Sequence, residues 1–178
     1  MAAGYYSAAS FRTLGTAATT HNLLTIENID ATKLVWIRRI SVQLDATAVL
    51  VAVMPQVKLS RATAVPTGGT TLSKGQFDTN NSSNSNTIIR GATASDGGAA
   101  TAITATAGTT IWQQYCMRMH TVVGQVLAPD NNVAPQLVET QDLVLRQNQA
   151  LLIQIVAAVG TSNPATNHWF ANIVWEED

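Results

Sequence analysis

Beyond the opening residues, apolar side chains recur at every second position, the period of a strand whose alternate residues face opposite sides of a sheet. In KLVWIRRISVQL, Val35 and Ile37 share one phase, and Ile40, Val42 and Leu44 share the other. The phase changes at Arg38-Arg39. One extra residue there, a β-bulge, restores all five apolar side chains to the core and leaves both guanidinium groups facing outward. The runs AVLVAVMPQVKLS, TIWQQYCMRMHTVVGQVLA, LVLRQNQALLIQIVAAV and HWFANIVWEED read in the same way. In the last, Trp169, Ala171, Ile173 and Trp175 fall on one side, with Phe170, Asn172 and Val174 on the other. Turn formers separate the runs: Asn28 to Thr32, VPTGGTT, FDTNNSSNSN, SDGGAA, APDNN and GTSNPATN. Short strands with such punctuation predict an all-β antiparallel sandwich.

A chain of 178 residues is the length of one domain. The pattern divides it into an N-terminal arm over residues 1–20 and a single sandwich over residues 21–178, with a loop-rich insertion at about residues 63–110. Within the insertion, NTIIRG is the best candidate for an edge or crossing strand. The arm begins MAAGYYSAAS, and ordering ten such residues costs on the order of 10 kcal/mol in backbone entropy. Roughly 400 Å² of apolar contact offsets that cost, and Tyr5, Tyr6 and then Phe11 are the side chains able to provide it. The arm is therefore expected to dock on a neighbouring subunit, so that removing Met1 to Ser10 weakens assembly without unfolding the monomer. The stretch GATASDGGAATAITATAGTT, residues 91–110, carries Asp96 as its one charge and almost no large side chains. It is expected to be an ordered loop that leans on its own sandwich or on another subunit, with Ile103, Thr104 and Thr106 as contacts.

Composition sharpens the expectation of assembly. Charged residues make up 12% of the chain, against about 25% in ordinary globular domains, while the hydrophobic share is an ordinary 46%. Thr, Ala, Asn, Ser and Gln stand where charges usually would, and a surface of small neutral groups desolvates against a partner more easily than a charged one. The net charge of −1, with no Lys/Arg run, gives no electrostatic footprint for nucleic acid. No apolar run approaches the roughly 20 residues that span a bilayer, and no signal-peptide pattern opens the sequence, so a cytosolic product is expected.

Candidate chemistry is sparse. His21, His120 and His168 are far apart and lack metal-ligand spacing. Cys116 and His120 share a strand face but have no orienting group or oxyanion hole, so a buried thiol near a surface histidine is the better reading. No G-x-S-x-G elbow occurs, and PTGGTT lacks the lysine of a phosphate loop. Asp130 and Asp142, with Asn131 and Asn132, could hold calcium, although APDNN reads more simply as a turn. Trp36, Trp112, Trp169 and Trp175 could form a sugar-stacking platform, yet each lies in a strand among apolar neighbours, where packing is the commoner role. No enzyme, metal or cofactor is expected.

Two stretches, NLLTIENIDATKLVWIRRISVQL and LVLRQNQALLIQIVAAV, resemble jelly-roll structural proteins of tailed-phage virions. The former is similar to their opening hairpin, where a strand ending at Glu27-Asn28 turns into one carrying Arg38-Arg39. The latter is similar to their late hairpin, with its turn at Gln147 to Gln149. The resemblance covers the outer thirds of the chain and leaves residues 63–110 unmatched. It implies a jelly-roll-like sandwich with an extended arm and long polar loops, made in the host bacterial cytoplasm and carried on the virion surface. The implied role is a capsid decoration or cement protein, bound to the major capsid protein and to copies of itself, often as a trimer. Arg38 and Arg39 are candidate contacts for acidic groups on a neighbour, although a solvated pair on a bulged strand is the safer reading. A neck, collar or tail-surface subunit has similar surfaces, and a receptor- or carbohydrate-binding sandwich is the further alternative.

Overall fold

The computed structural model describes residues 4–13, 20–45, 56–79, 86–91, 102–115, 143–156 and 168–177. These residues form strands and turns, with no helix among them. In chain order the strands are β1 (Gly4–Thr13), β2 (Thr20–Asn28), β3 (Val35–Asp45), β4 (Gln56–Ala62), β5 (Thr67–Gly68), β6 (Thr70–Thr71), β7 (Gly75–Gln76), β8 (Thr87–Gly91), β9 (Ile103–Thr104), β10 (Ala107–Tyr115), β11 (Leu143–Leu145), β12 (Gln149–Val156) and β13 (His168–Glu177). One sheet has the order β11-β3-β13-β1-β7, the second has the order β10-β4-β12-β2-β8-β6, and β5 and β9 form a separate ribbon. Every pairing is antiparallel.

The two large sheets share one apolar core. Ile37, Ile40, Val42, Trp169, Ile173 and Trp175 of the first sheet meet Leu24, Ile26, Leu59, Ile89, Leu151 and Ile153 of the second. Their period-two spacing is what lets each strand bury one face and leave the other free. The bulge inferred from the phase break is present. Val174 pairs with Arg39 and Trp175 with Ile37, so Arg38 is the extra residue. Val35, Ile37, Ile40 and Val42 are all buried, while both arginines are exposed.

Two expectations are corrected by the strand order. β1 is not an arm: it pairs along all ten of its residues with β13 and carries β7 on its other side. Tyr6 and Ala8 lie in the core. Burial within the chain's own sandwich offsets the ordering entropy that docking on a neighbour was expected to offset. The two stretches read as hairpins are instead corners, because β2 and β3 belong to different sheets, as do β11 and β12. Successive strands thus cross the sandwich, an arrangement compatible with a jelly roll. NTIIRG is β8, which lies between β2 and the two-residue edge strand β6.

Asn28 joins the two corners. Its buried amide donates to Lys33 O and to Leu145 O, both at 2.9 Å, and its Oδ1 accepts from Asp30 N at 2.9 Å. Its carbonyl accepts from Asn148 N at 2.7 Å. Asn148 stands at φ 59°, the left-handed conformation that asparagine tolerates better than most residues. Asp30 Oδ1 closes the turn by accepting from Thr32 N, Thr32 Oγ1 and Lys33 N. Asn28→Ala leaves two carbonyls without their donor and is expected to lower unfolding free energy by about 2–3 kcal/mol in urea titration. A loss below about 0.5 kcal/mol would remove Asn28 from this role.

Candidate interaction surface

The outer face of the five-stranded sheet is built by the side chains that β1, β13 and β3 turn away from the core. Backbone register sets it out in rows: Tyr5–Glu176–Trp36, Ser7–Val174–Arg39, Ala9–Asn172–Ser41 and Phe11–Phe170–Gln43. The middle rows set Ser7, Ala9 and Ser41 beside Val174, Asn172 and the exposed Arg39. Tyr5 and Phe170, respectively 44% and 41% exposed, stand towards opposite ends. At the Tyr5 end, Arg38 Nε donates to Glu176 Oε2 at 2.7 Å, and its guanidinium also pairs with the same oxygen and lies 5.5 Å from the Trp36 ring centroid. The Tyr5 hydroxyl hydrogen-bonds to the Glu176 carboxylate, which holds the phenol above its ordinary pKa. The Glu176 carboxylate is therefore already paired within the face. Phe77, 66% exposed, adjoins this end through its amide, which donates to Tyr5 O at 3.1 Å.

Behind this end, on the core side, Glu177 collects donors from three segments. Its Oε1 accepts from Thr87 Oγ1 at 2.8 Å, from Trp175 Nε1 at 2.9 Å and from Lys74 Nζ at 3.2 Å, and its Oε2 accepts from Asn86 N at 3.3 Å. Tyr6 stacks on Trp175 with ring centroids 5.8 Å apart, and Lys74 Nζ lies 5.2 Å from the Tyr6 ring centroid. Burial, followed by the Glu177 charge, raises the Tyr6 phenol above its usual pKa. This is an anchoring cluster rather than a reaction centre, since the carboxylate is consumed by donors of its own chain.

The residues expected at an interface therefore separate. Tyr5, Arg38 and Arg39 come together on one exposed face, and Phe11 occupies the register position opposite Phe170, its side chain lying outside the described residues. Tyr6 is core, only 4% exposed. Ile103 is also buried, because Asn22 Nδ2 donates to its carbonyl at 2.9 Å and draws the β5–β9 ribbon onto β2. Thr104 and Thr106 are exposed away from this face, Thr104 pairing with Thr67 and Thr106 O accepting from Thr63 N at 3.0 Å. Residues 102–110 thus lean on their own chain, while 92–101 lie outside the described residues. Trp169 and Trp175 are core, Trp112 packs against it, and Trp36 joins the outer face. Cys116, His120, Asp130, Asn131, Asn132 and Asp142 lie outside the described residues, as does the side chain of His168. Glu176, Phe170 and Phe77 were not singled out from sequence. The alternation of HWFANIVWEED carries the signal for the first two, whereas Phe77 sits in a turn where no period applies.

One buried acid lies elsewhere. Glu27, 4% exposed, has no hydrogen-bond partner among the described residues for Oε2, and burial raises its pKa against the opposing effect of Arg90. A pKa above the unfolded value makes its contribution to stability fully present below the unfolded pKa and lost as pH rises through the folded pKa. Glu27→Gln is therefore expected to stabilise the chain at neutral pH, by about 1 kcal/mol, and to flatten this part of the pH dependence in urea titrations. Asp30 has the opposite sign: hydrogen bonds from Thr32 lower its pKa, so its contribution is lost on acidification. A Glu27→Gln chain no more stable than the parent at neutral pH would refute the first expectation.

No family model, no curated protein and no solved structure matches this chain.

Proposed function

We propose that this chain is a non-enzymatic virion structural protein, a capsid decoration or cement subunit that docks through the outer face of β1, β13 and β3. The observation that carries the reading is that face itself: a sheet surface with exposed Tyr5 and Phe170, on which the Glu176 carboxylate is already paired with Arg38. Such a surface loses little hydration when it is covered, and Tyr, Trp and Arg are the side chains that most often dominate binding energy. Arg39, exposed and without an ion-pair partner among the described residues, supplies a charge for a partner's carboxylate. Many weak contacts of this kind, repeated over a shell, sum by multivalency into resistance to internal pressure.

The test is stoichiometric. Purified chain is mixed with mature shells that lack it, bound and free fractions are separated, and copies per shell are counted. Binding in proportion to the capsomers supports decoration. A copy number matching a single portal or tail site redirects the role to the neck, collar or tail surface. The double variant Arg39→Glu, Phe170→Lys is expected to lower retention at least about tenfold while leaving the unfolding transition in place. Unchanged retention would clear this face of the role. Exposed Tyr5 and Phe77 favour glycan binding as the second reading, tested by probing the same protein against host polysaccharide.

A further inference from the structure

One row of the outer face runs across the whole five-stranded sheet. Phe77, at the end of β7, is joined to β1 by its amide, which donates to Tyr5 O. Register then sets Tyr5 opposite Glu176, Glu176 opposite Trp36 and Trp36 opposite Val144 of β11. Phe77 and Tyr5 are exposed, and Trp36 and Val144 partly so. The row thus lines up aromatic and aliphatic side chains around a single acid. Its members are tied together laterally. The Tyr5 hydroxyl reaches the Glu176 carboxylate from β1, Arg38 Nε donates to it from β3, and the Arg38 guanidinium lies over the Trp36 ring. Side chains already fixed by such contacts lose little freedom when a ligand covers them.

Spacing and hydrogen bonding select the ligand. Neighbouring strands stand about 4.8 Å apart, which puts the backbones at Tyr5 and Trp36, with β13 between them, about 9.6 Å apart. A polyproline II helix repeats every three residues, about 9.3 Å along its axis. One turn therefore spans Tyr5 to Trp36, and about two turns span the roughly 19 Å from Phe77 to Val144. The polar groups agree with this. Glu176 is engaged by donors of its own chain, while Arg39, exposed in the adjoining row beside Val174, offers N–H groups and no acceptor. Proline presents a ring that packs on aromatic faces and a carbonyl that accepts, and it has no N–H to satisfy. Sugar hydroxyls, by contrast, donate as well as accept, and the acid in the row is already engaged.

We propose that this row binds a proline-rich segment of a partner protein, held as a polyproline II helix that lies across the strands with its rings over Phe77, Tyr5 and Trp36 and a carbonyl towards Arg39. The inference rests on the reading of this face as the docking face and names the chemistry that it takes. A segment that is already extended when free gives up little conformational entropy on binding, which suits weak contacts repeated over many copies.

Decaproline is the probe, titrated into the isotope-labelled full chain and followed by amide chemical shifts. Saturable shifts centred on residues 5, 36, 77 and 176 are expected, with a dissociation constant of about 1 mM or below. Phe77→Ala and Tyr5→Ala, each at an exposed position, are expected to weaken binding at least about fivefold while the unfolding transition stays in place. Ile111→Ala, exposed on β10 of the other sheet, is expected to leave it within about twofold. No saturable shift up to about 10 mM decaproline, or equal binding of a glycine-serine peptide of the same length, overturns the proposal. Saturation of the same residues by a linear oligosaccharide and not by decaproline also overturns it, and assigns the row to glycans. Failure of the docking reading looks different. Decaproline bound at the row by a chain that shells do not retain removes the capsid as partner and leaves this inference standing. Chain retained on shells through Arg39 and Phe170, yet indifferent to decaproline, keeps the docking face and overturns the polyproline ligand.

Discussion

A chain lacking Met1 to Ser10 is expected to lose its cooperative unfolding transition rather than survive as a folded, unassembled subunit. β1 is an inner strand of its sheet, with β13 on one side and β7 on the other. The deletion removes Tyr6 and Ala8 from the core, takes away the stacking partner of Trp175, and strips the ladder from most of one side of β13. Burying the Tyr6 side chain alone is worth about 2–3 kcal/mol, and the lost strand pairing and the newly exposed apolar surface of Ala171, Ile173 and Trp175 add to it. Together these losses approach the whole stability of a typical domain, about 5–15 kcal/mol. Urea unfolding followed by tryptophan fluorescence and far-ultraviolet circular dichroism is the measurement. A truncated chain that unfolds in one sharp transition with the parent's urea dependence would return β1 to the status of a dispensable arm.

The second large effect is expected at Glu177. Replacing it with alanine leaves Thr87 Oγ1, Trp175 Nε1, Asn86 N and Lys74 Nζ without their shared acceptor, and three segments lose their common tie. Breaking a buried ion pair from one side costs about 3–5 kcal/mol, and Glu177→Ala is expected to fall in that range. Lys74 behaves differently. Burial pushes its ammonium below the ordinary pKa by more than the Glu177 charge and hydrogen bond raise it, so the cation sits there at a desolvation cost. Lys74→Met is accordingly expected to change stability by less than about 1 kcal/mol, and the double variant to lose less than the sum of the two single changes. Urea titration of the four chains provides this comparison. A Glu177→Ala chain within about 0.5 kcal/mol of the parent would show that the cluster does not hold the sheet end.

The two effects differ in how well they could be read beforehand. The bulge at Arg38 was legible because a phase break between Ile37 and Ile40 is a local property of one strand, and an apolar side chain on the wrong face is costly wherever that strand lies. Trp169, Ala171, Ile173 and Trp175 were legible for the same reason. β1 was not, because Tyr6, Ala8 and Ser10 form a weak alternation of one large and two small residues. Its partner, β13, lies at the other end of the sequence. Glu177 reads as one more charge in the terminal EED, and its four donors come from residues 74, 86, 87 and 175. No local period reports such a meeting.

The candidate surface lies between these cases. Tyr5, Arg38 and Arg39 were each recognisable as polar or aromatic groups in search of a partner, but their common face depends on β13 threading between β1 and β3. Tyr6, beside Tyr5 in sequence, goes to the core because successive strand residues face opposite sides. Ile103 was assigned to an interface because its neighbours are too small to make a core of their own; it is buried because the ribbon brings it to β2, about eighty residues away. The corners were mistaken for hairpins because a turn signal marks a reversal without saying which sheet receives the next strand.

By itself, then, the sequence determined β3, β12 and β13 with their buried faces, the bulge and the charge-poor composition, while much of the runs AVLVAVMPQVKLS and TIWQQYCMRMHTVVGQVLA lies outside the described residues; what was legible follows from side-chain alternation and composition within a short window. Only the tertiary structure decided that the first strand belongs inside the sheet, that Glu177 ties three distant segments together, and that Tyr5, Arg38 and Arg39 share a face with Phe170. Those features arise from antiparallel pairing between residues far apart in the chain, where the free energy lies in contacts that no single segment can make alone.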